Sequence, residues 1–345
     1  MSENRYSSEV LCREKCSAAP NIVSIGGGTG LSVLLRSLKK KTPNVTAVVT
    51  VADDGGGSGK LREDLHMPPP GDIRNCILAL AETEPVMERL LRYRFTEGSL
   101  KGQSFGNLFL AAMTGISDGN FVEAVQLVSD VLKVTGNVLP VTDADVELVA
   151  TLENGMKVSG ESAIGHCTHI YGSKISEVEL VLKNGGKDII SPLPDVIEAI
   201  ENADLITLGP GSLYTSIVPN LIVSGVADAV RRAKAPVVYI NNIMTQPGET
   251  DGYTARNHYD AIISHTFPDF IDYCIINTGE IERSLLFRYI EEGANIVKYS
   301  DKMFENLAVK IIDCDIVSRR RTNSVRHNSE KLAEIIMDIY KEIQM

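Results

Sequence analysis

The stretch NIVSIGGGTG, residues 21–30, decides the fold. A short apolar run, Asn21–Ile25, enters Gly26-Gly27-Gly28-Thr29-Gly30. Leu31, Leu34, Leu35 and Leu38 follow at helical spacing, then Lys39, Lys40 and Lys41, which suit a helix C-terminus. That is strand, glycine turn, helix. Val45–Val51 is apolar throughout, as a parallel strand buried on both faces should be, and it runs into Ala52-Asp53-Asp54 and a glycine-rich loop to Gly59. The chain therefore opens like a βαβ nucleotide-binding half.

Further out, Asp72 can cap a helix over Ile73–Leu80, and Phe121–Leu132 has helical apolar spacing. From about 138 to 190 the character changes. Leu148–Leu152, Asn154-Gly155 and Met156–Val158 read as a hairpin with an Asn-Gly turn, and Val178–Leu182 as another strand. This predicts a small β-rich insertion. The α/β rhythm then resumes with a helix at Ile197–Ile200 and strands at Asp204–Leu208, Pro236–Asn241 and Ile271–Asn277. A last helix carries Leu332, Ile335, Ile336, Ile339 and Ile343 on one face. The expected architecture is α/β: a Rossmann-like, doubly wound, mostly parallel sheet over residues 21–345, behind a flexible tail at 1–20.

Composition narrows the function. Of 345 residues, 43% are apolar and 23% charged, enough for a sizeable core. Thirty-four Lys and Arg against 45 Asp and Glu give a net charge of −11. That argues against sequence-independent nucleic-acid binding, which runs on cationic counterion release. A local basic pocket for a phosphorylated small molecule is compatible with it. No stretch reaches the ~20 apolar residues of a membrane span, and the first twenty residues lack a signal-peptide h-region. The six cysteines are scattered, which fits a reduced cytoplasmic protein better than a disulfide scaffold or a zinc site.

The candidate ligand groups sit on loops. Gly26–Gly30 offers bare backbone N–H groups at a helix start, a site for phosphate or simply a tight turn. It lacks the third glycine of the dinucleotide fingerprint, where Leu31 stands. Asp53 and Asp54 could accept ribose hydroxyls or form an Asp-Gly turn. Ser58-Gly59-Lys60 fails as a P-loop because Leu61 replaces the Ser/Thr metal ligand; Lys60 and Arg62 could meet phosphate or solvent. Gly209-Pro210-Gly211-Ser212-Leu213-Tyr214-Thr215-Ser216 is a second strand-to-helix loop, adding hydroxyls and a phenol. Two such loops at the carboxyl ends of strands predict one shared cleft. Asn241–Thr250 supplies amides and hydroxyls for a third wall, including Asn242 and Thr245. Arg326-His327 precedes the last helix, which Asn328 or Ser329 would cap, and could form an anion site. Glu249 and Asp251 read as a solvated loop pair, or an acid/base pair if extended. His166, Cys167 and His169 read as a polar turn. Asp53, Asp54 and Asp72 are weak Mg²⁺ candidates.

These motifs, with PGDIRN at 70–75, SFGNL at 104–108, GPGSLYTSIVPN at 209–220 and MTQPGET at 244–250, resemble the bacterial gluconeogenesis factors within the 2-phospho-L-lactate transferase-like superfamily. The resemblance runs from about Asn21 to the last helix. It implies a cytoplasmic, Rossmann-like regulator binding a UDP-sugar such as UDP-N-acetylglucosamine. It also implies a role in growth and cell shape on gluconeogenic carbon, tied to cell-wall precursor supply. The implied contacts are Gly27, Gly28, Thr29, Gly30, Asp53, Asp54, Asn107, Gly209, Gly211, Ser212, Tyr214, Thr215, Asn242, Thr245, Arg326 and His327. Where the family has Asp then Thr after the Arg-His pair, this chain has Asn328 and Ser329. No cofactor is required by that reading. The alternative is a Mg²⁺-dependent transferase acting on a nucleotide-activated phosphate donor; a third class, an NAD(P) oxidoreductase, is disfavoured by Leu31. Self-association and a protein partner stay open.

Overall fold

The computed structural model describes residues 19–319 and 324–345. The expected tail up to residue 18, with Cys12 and Cys16, lies outside them. Among the described residues ten strands form two sheets. They are β1 (Ile22–Gly26), β2 (Val45–Val49), β3 (Asn137–Pro140), β4 (Val146–Leu152), β5 (Lys157–Ser159), β6 (Ile175–Leu182), β7 (Leu205–Leu208), β8 (Val237–Ile240), β9 (Tyr273–Asn277) and β10 (Lys310–Cys314).

Seven strands make a wholly parallel sheet in the order β10-β9-β8-β7-β1-β2-β3. The central strands are apolar on both faces because helices cover both. Alternate residues feed two cores. Ile22, Val45, Val49 and Leu205 pack under the helices Gly28–Leu38, Pro70–Leu80 and Ser329–Gln344. Val23, Ile25, Ile206 and Leu208 pack on the other face, where the small sheet and Val218–Leu221 lie. The small sheet, β5-β4-β6, is antiparallel, and its β4–β5 hairpin turns at Asn154-Gly155 with Gly155 at φ 83°. Only glycine takes that conformation without strain.

The winding positions the site. From central β1 the chain builds outward through β2 and β3, then returns to β7 on β1's other side and builds the opposite way. Strand order therefore reverses between β1 and β7, where open α/β sheets hold ligands beyond the strands' carboxyl ends. Ile25 pairs with Leu208, so Gly26–Gly30 and Gly209–Ser212 leave side by side.

Two local expectations change. The glycine run after β2 is no loop: a helix begins at Gly56 and continues to Leu65. Asp72 caps nothing, because its helix starts at Pro70 with Pro69 as N-cap, and Asp72 falls inside the first turn. Proline at the first helical position starts the helix earlier than a side-chain cap would.

Candidate functional site

Gly26, at the end of β1, leads through Gly27 into the helix Gly28–Leu38. Across the switch point the two glycine loops touch: a Cβ on Gly30 would lie 2.4 Å from the Pro210 carbonyl oxygen. Gly209, at φ 79°, sends its N–H to the Ile25 carbonyl at 2.8 Å. The loops leave a cavity of about 460 Å³, walled by Gly27–Gly30 and Val33, by Pro210–Ser212 and Ser216, and by Asn242–Pro247. Tyr289, Glu292 and Ala294 close one side, and Val325, Arg326 and His327 another. Asp53, Asp72 and Glu161 also line it.

Of the sequence-predicted contacts, Gly27, Gly28, Thr29, Gly30, Asp53, Gly211, Ser212, Asn242, Thr245, Arg326 and His327 face this cavity. Five do not. Asp54 turns away to accept the Ser162 N–H at 2.8 Å. Asn107 is buried beneath Ser58, its amide donating to the Ser58 hydroxyl at 3.4 Å. Gly209 is consumed by the strand edge. Tyr214 and Thr215 lie under the cleft wall, and the reason is Glu249.

Glu249 is 1% exposed, not solvated as its loop sequence suggested. Its Oε1 accepts the Tyr214 N–H at 2.7 Å, and the carboxylate also takes the Thr215 N–H. These are the free donors at the start of the Leu213–Ile217 turn of π-helix. The Glu249 carboxyl thus fills the place that the second loop was expected to offer a phosphate. The rest of 242–250 clamps the same loop: Ser212 Oγ donates to Gln246 Oε1 at 2.8 Å, and Asn242 Nδ2 to the Gly211 carbonyl at 3.0 Å. These bonds tie the second loop down as a wall of the cleft, and the first loop faces the cavity across from it. Tyr214 instead bonds the Tyr253 hydroxyl at 2.9 Å.

The floor is acidic. Asp72 accepts from the Gly28 N–H, and its Oδ2 lies 2.6 Å from where a Cβ on Gly27 would sit. Burial first, then the neighbouring Asp53 and Glu161 charges, push the Asp72 carboxyl to about 7. Burial and the charges of Asp53 and Asp54 bring Glu161 to about 7, although the Thr215 hydroxyl donates to it. Glu249 reaches about 7 mainly through burial. Asp53 is raised by burial; its Oδ1 takes the Gly55 N–H at 2.8 Å, so the Asp-Gly turn and the cavity position coexist. Glu161 was not singled out on sequence, and Glu249 was read as a solvated loop residue or an acid/base partner of Asp251, not as a buried support of the second loop. Polar loop residues give no local sign of burial.

The cationic side differs from expectation too. His327 meets the Asn241 carbonyl through Nε2 at 3.1 Å, so Nε2 carries the proton and Nδ1 is an acceptor. Burial lowers this imidazole to about 4, and it is neutral at pH 7. Arg326 is exposed at the cavity mouth and is the one cation lining it among the described residues. Asn328, not Ser329, caps the last helix, accepting from Lys331 N–H at 3.2 Å. Lys60 is exposed on the 56–65 helix, and Arg62 is buried against Asp145, Nε to Oδ1 3.0 Å, with neither lining the cavity. His169 contacts Asp251 at 3.2 Å, and Cys167 is buried at the start of the short helix Cys167–Tyr171.

Among the described residues no single helix is long and apolar enough to cross a membrane. No three His, Cys, Asp or Glu side chains among them converge closely enough to hold a metal ion.

Comparison with known proteins agrees with this architecture. The family described as 2-phospho-L-lactate transferase CofD matches residues 22–317. A Thermoanaerobacterium thermosulfurigenes protein is 54% identical over 320 residues, covering 93% of this chain and 97% of its own. The gluconeogenesis factor of Bacillus subtilis is 47% identical over 324 residues, 94% of this chain and 99% of that one. A crystal structure of a Bacillus halodurans protein superposes with a TM-score of 0.86 at 44% identity, covering 92% of this chain and 99% of that one.

Proposed function

We propose, from the premise that this chain belongs to the 2-phospho-L-lactate transferase CofD family, that it is a cytoplasmic regulator whose switch-point cleft binds a UDP-sugar of the UDP-N-acetylglucosamine class. Its role is then to support growth and cell shape on gluconeogenic carbon sources, a reading that the similarity to a protein named gluconeogenesis factor supports. The observation that carries the reading is the meeting of the two glycine loops at the strand reversal, with an open cavity beside them. The diphosphate lies over the Thr29 and Gly30 N–H groups, at the positive end of the 28–38 helix. Arg326 pairs with it from the mouth. Asn242, Thr245 and the neutral His327 give the amide, hydroxyl and acceptor groups that read sugar and base hydroxyls and imides.

A second reading, transferase activity toward a nucleotide-activated phosphate donor, is favoured by one observation. Asp72 and Glu161, brought to about 7 in the cavity wall, are tuned for a general base at neutral pH. Mg²⁺ is usually held by one or two carboxylates together with substrate phosphates, and Asp53 and Asp72 on the cavity lining are the residues that would hold it; no step is routed through it. Calorimetry with UDP-N-acetylglucosamine, then mass analysis after long incubation with Mg²⁺, separates the two. Binding without turnover supports the regulator, released UMP or UDP supports the transferase, and no binding overturns both.

A further inference from the structure

Resting on that reading of the cleft, we infer that Asp72 and Glu161, with Asp53, are specificity-determining residues that admit a diphosphate only as a diester and reject a free terminal phosphate. The three carboxylates line the same cavity as Gly27–Gly30. Asp72 already holds the Gly28 N–H, and its oxygen stands 2.6 Å from the would-be Gly27 Cβ. A phosphate arriving at this turn therefore meets an anion on its own donor. Glu161 lines the same cavity, held by the Thr215 hydroxyl. Against them the lining offers one cation among the described residues, Arg326, and His327 is neutral.

The chemistry of the ligand follows. Esterified on both sides, a diphosphate carries one charge per phosphorus. A free terminal phosphate, whose second ionisation lies near ~6, carries two. That extra charge is placed against two or three carboxylates in a partly desolvated cleft, where each repulsion exceeds its value in water. The glycine turn by itself would favour the more highly charged group, so the carboxylates reverse the preference.

The test compares UDP with its β-methyl ester, which differ in that charge and not in a sugar. Both are titrated calorimetrically at pH 8.5 in chelator, so that no divalent ion screens the terminal phosphate. The wild type should bind the methyl ester about tenfold or more tightly, about 1.4 kcal/mol. Asp72→Asn and Glu161→Gln, each confirmed folded by circular dichroism, should each shrink that preference at least about threefold by tightening UDP. Glu161→Gln keeps the Thr215 acceptor and serves if Asp72→Asn does not fold. Equal affinities, or a preference that neither substitution moves, overturn the discrimination and leave diphosphate binding standing. Failure of both ligands to bind overturns the discrimination together with the reading beneath it.

Discussion

Replacing Glu249 with Gln stabilises this protein at pH 8 and leaves it almost unchanged at pH 4.5. Glu249 is buried at 1% exposure, with Oε1 on the Tyr214 N–H and Oε2 without a partner among the described residues. Burial lifts its ionisation from 4.5 to about 7. The folded state therefore holds a proton that the unfolded chain releases. Stability from this group is fully present below about pH 4.5 and is lost as pH rises through about 7. At 1.36 kcal/mol per pH decade the full loss is about 3 kcal/mol, an upper figure because local relaxation lowers it. Glutamine mimics the protonated acid: it keeps an acceptor for Tyr214 and Thr215 and never ionises. Urea unfolding of both proteins from pH 4.5 to 9 should show their stabilities diverging by about 2–3 kcal/mol across that range. Glu249→Ala, which orphans the two N–H groups, should cost about 1–3 kcal/mol at pH 4.5, and the cost should shrink as pH rises because the ionising group is gone as well. Parallel pH profiles for wild type and Glu249→Gln would refute the claim that a buried, proton-holding carboxyl caps the 213–217 turn.

Other substitutions test other parts of the structure. Gly30→Val places a Cβ 2.4 Å from the Pro210 oxygen, a backbone atom that cannot step aside, so the loops part; calorimetry should record more than about tenfold loss of UDP-N-acetylglucosamine affinity. Arg326→Ala removes the one lining cation among the described residues and should weaken the same ligand by about 1.5–3 kcal/mol, with unchanged affinity removing Arg326 from the site. Asp145→Ala leaves Arg62, 4% exposed, with the Val146 carbonyl as its one hydrogen-bond partner among the described residues, and should lower unfolding stability by about 3 kcal/mol without touching ligand affinity.

Much of the frame was legible because it rests on local pattern. The run into Gly26, the leucines at 31, 34, 35 and 38 and the apolar β2 specify strand, turn and helix with no tertiary help. The Asn154-Gly155 hairpin follows from its turn residues in the same way. What the sequence hid depends on who packs against whom. Glu249 sits among Gln, Pro, Gly and Thr, a setting that reads as solvent, yet 35 residues earlier in the chain lie the N–H groups that bury it. Its presence turned Tyr214 and Thr215 from contacts into wall supports. Glu161 stands in a short helix after β5 and reaches the floor only because the small sheet docks beside β2's end. His327 has the residue type of an anion ligand, but burial strips its charge. Gly56 to Gly59 could pass for a loop because glycine disfavours helix, and tertiary packing against 103–107 overrides that preference.

The most direct test of the central claim is a crystal structure of the protein with UDP-N-acetylglucosamine bound. The diphosphate should rest over the backbone of residues 28–30, flanked by Pro210–Ser212, with Arg326 drawn onto it. A ligand seated outside that crevice, or phosphates held at the 213–217 turn in place of the Glu249 carboxylate, would contradict it.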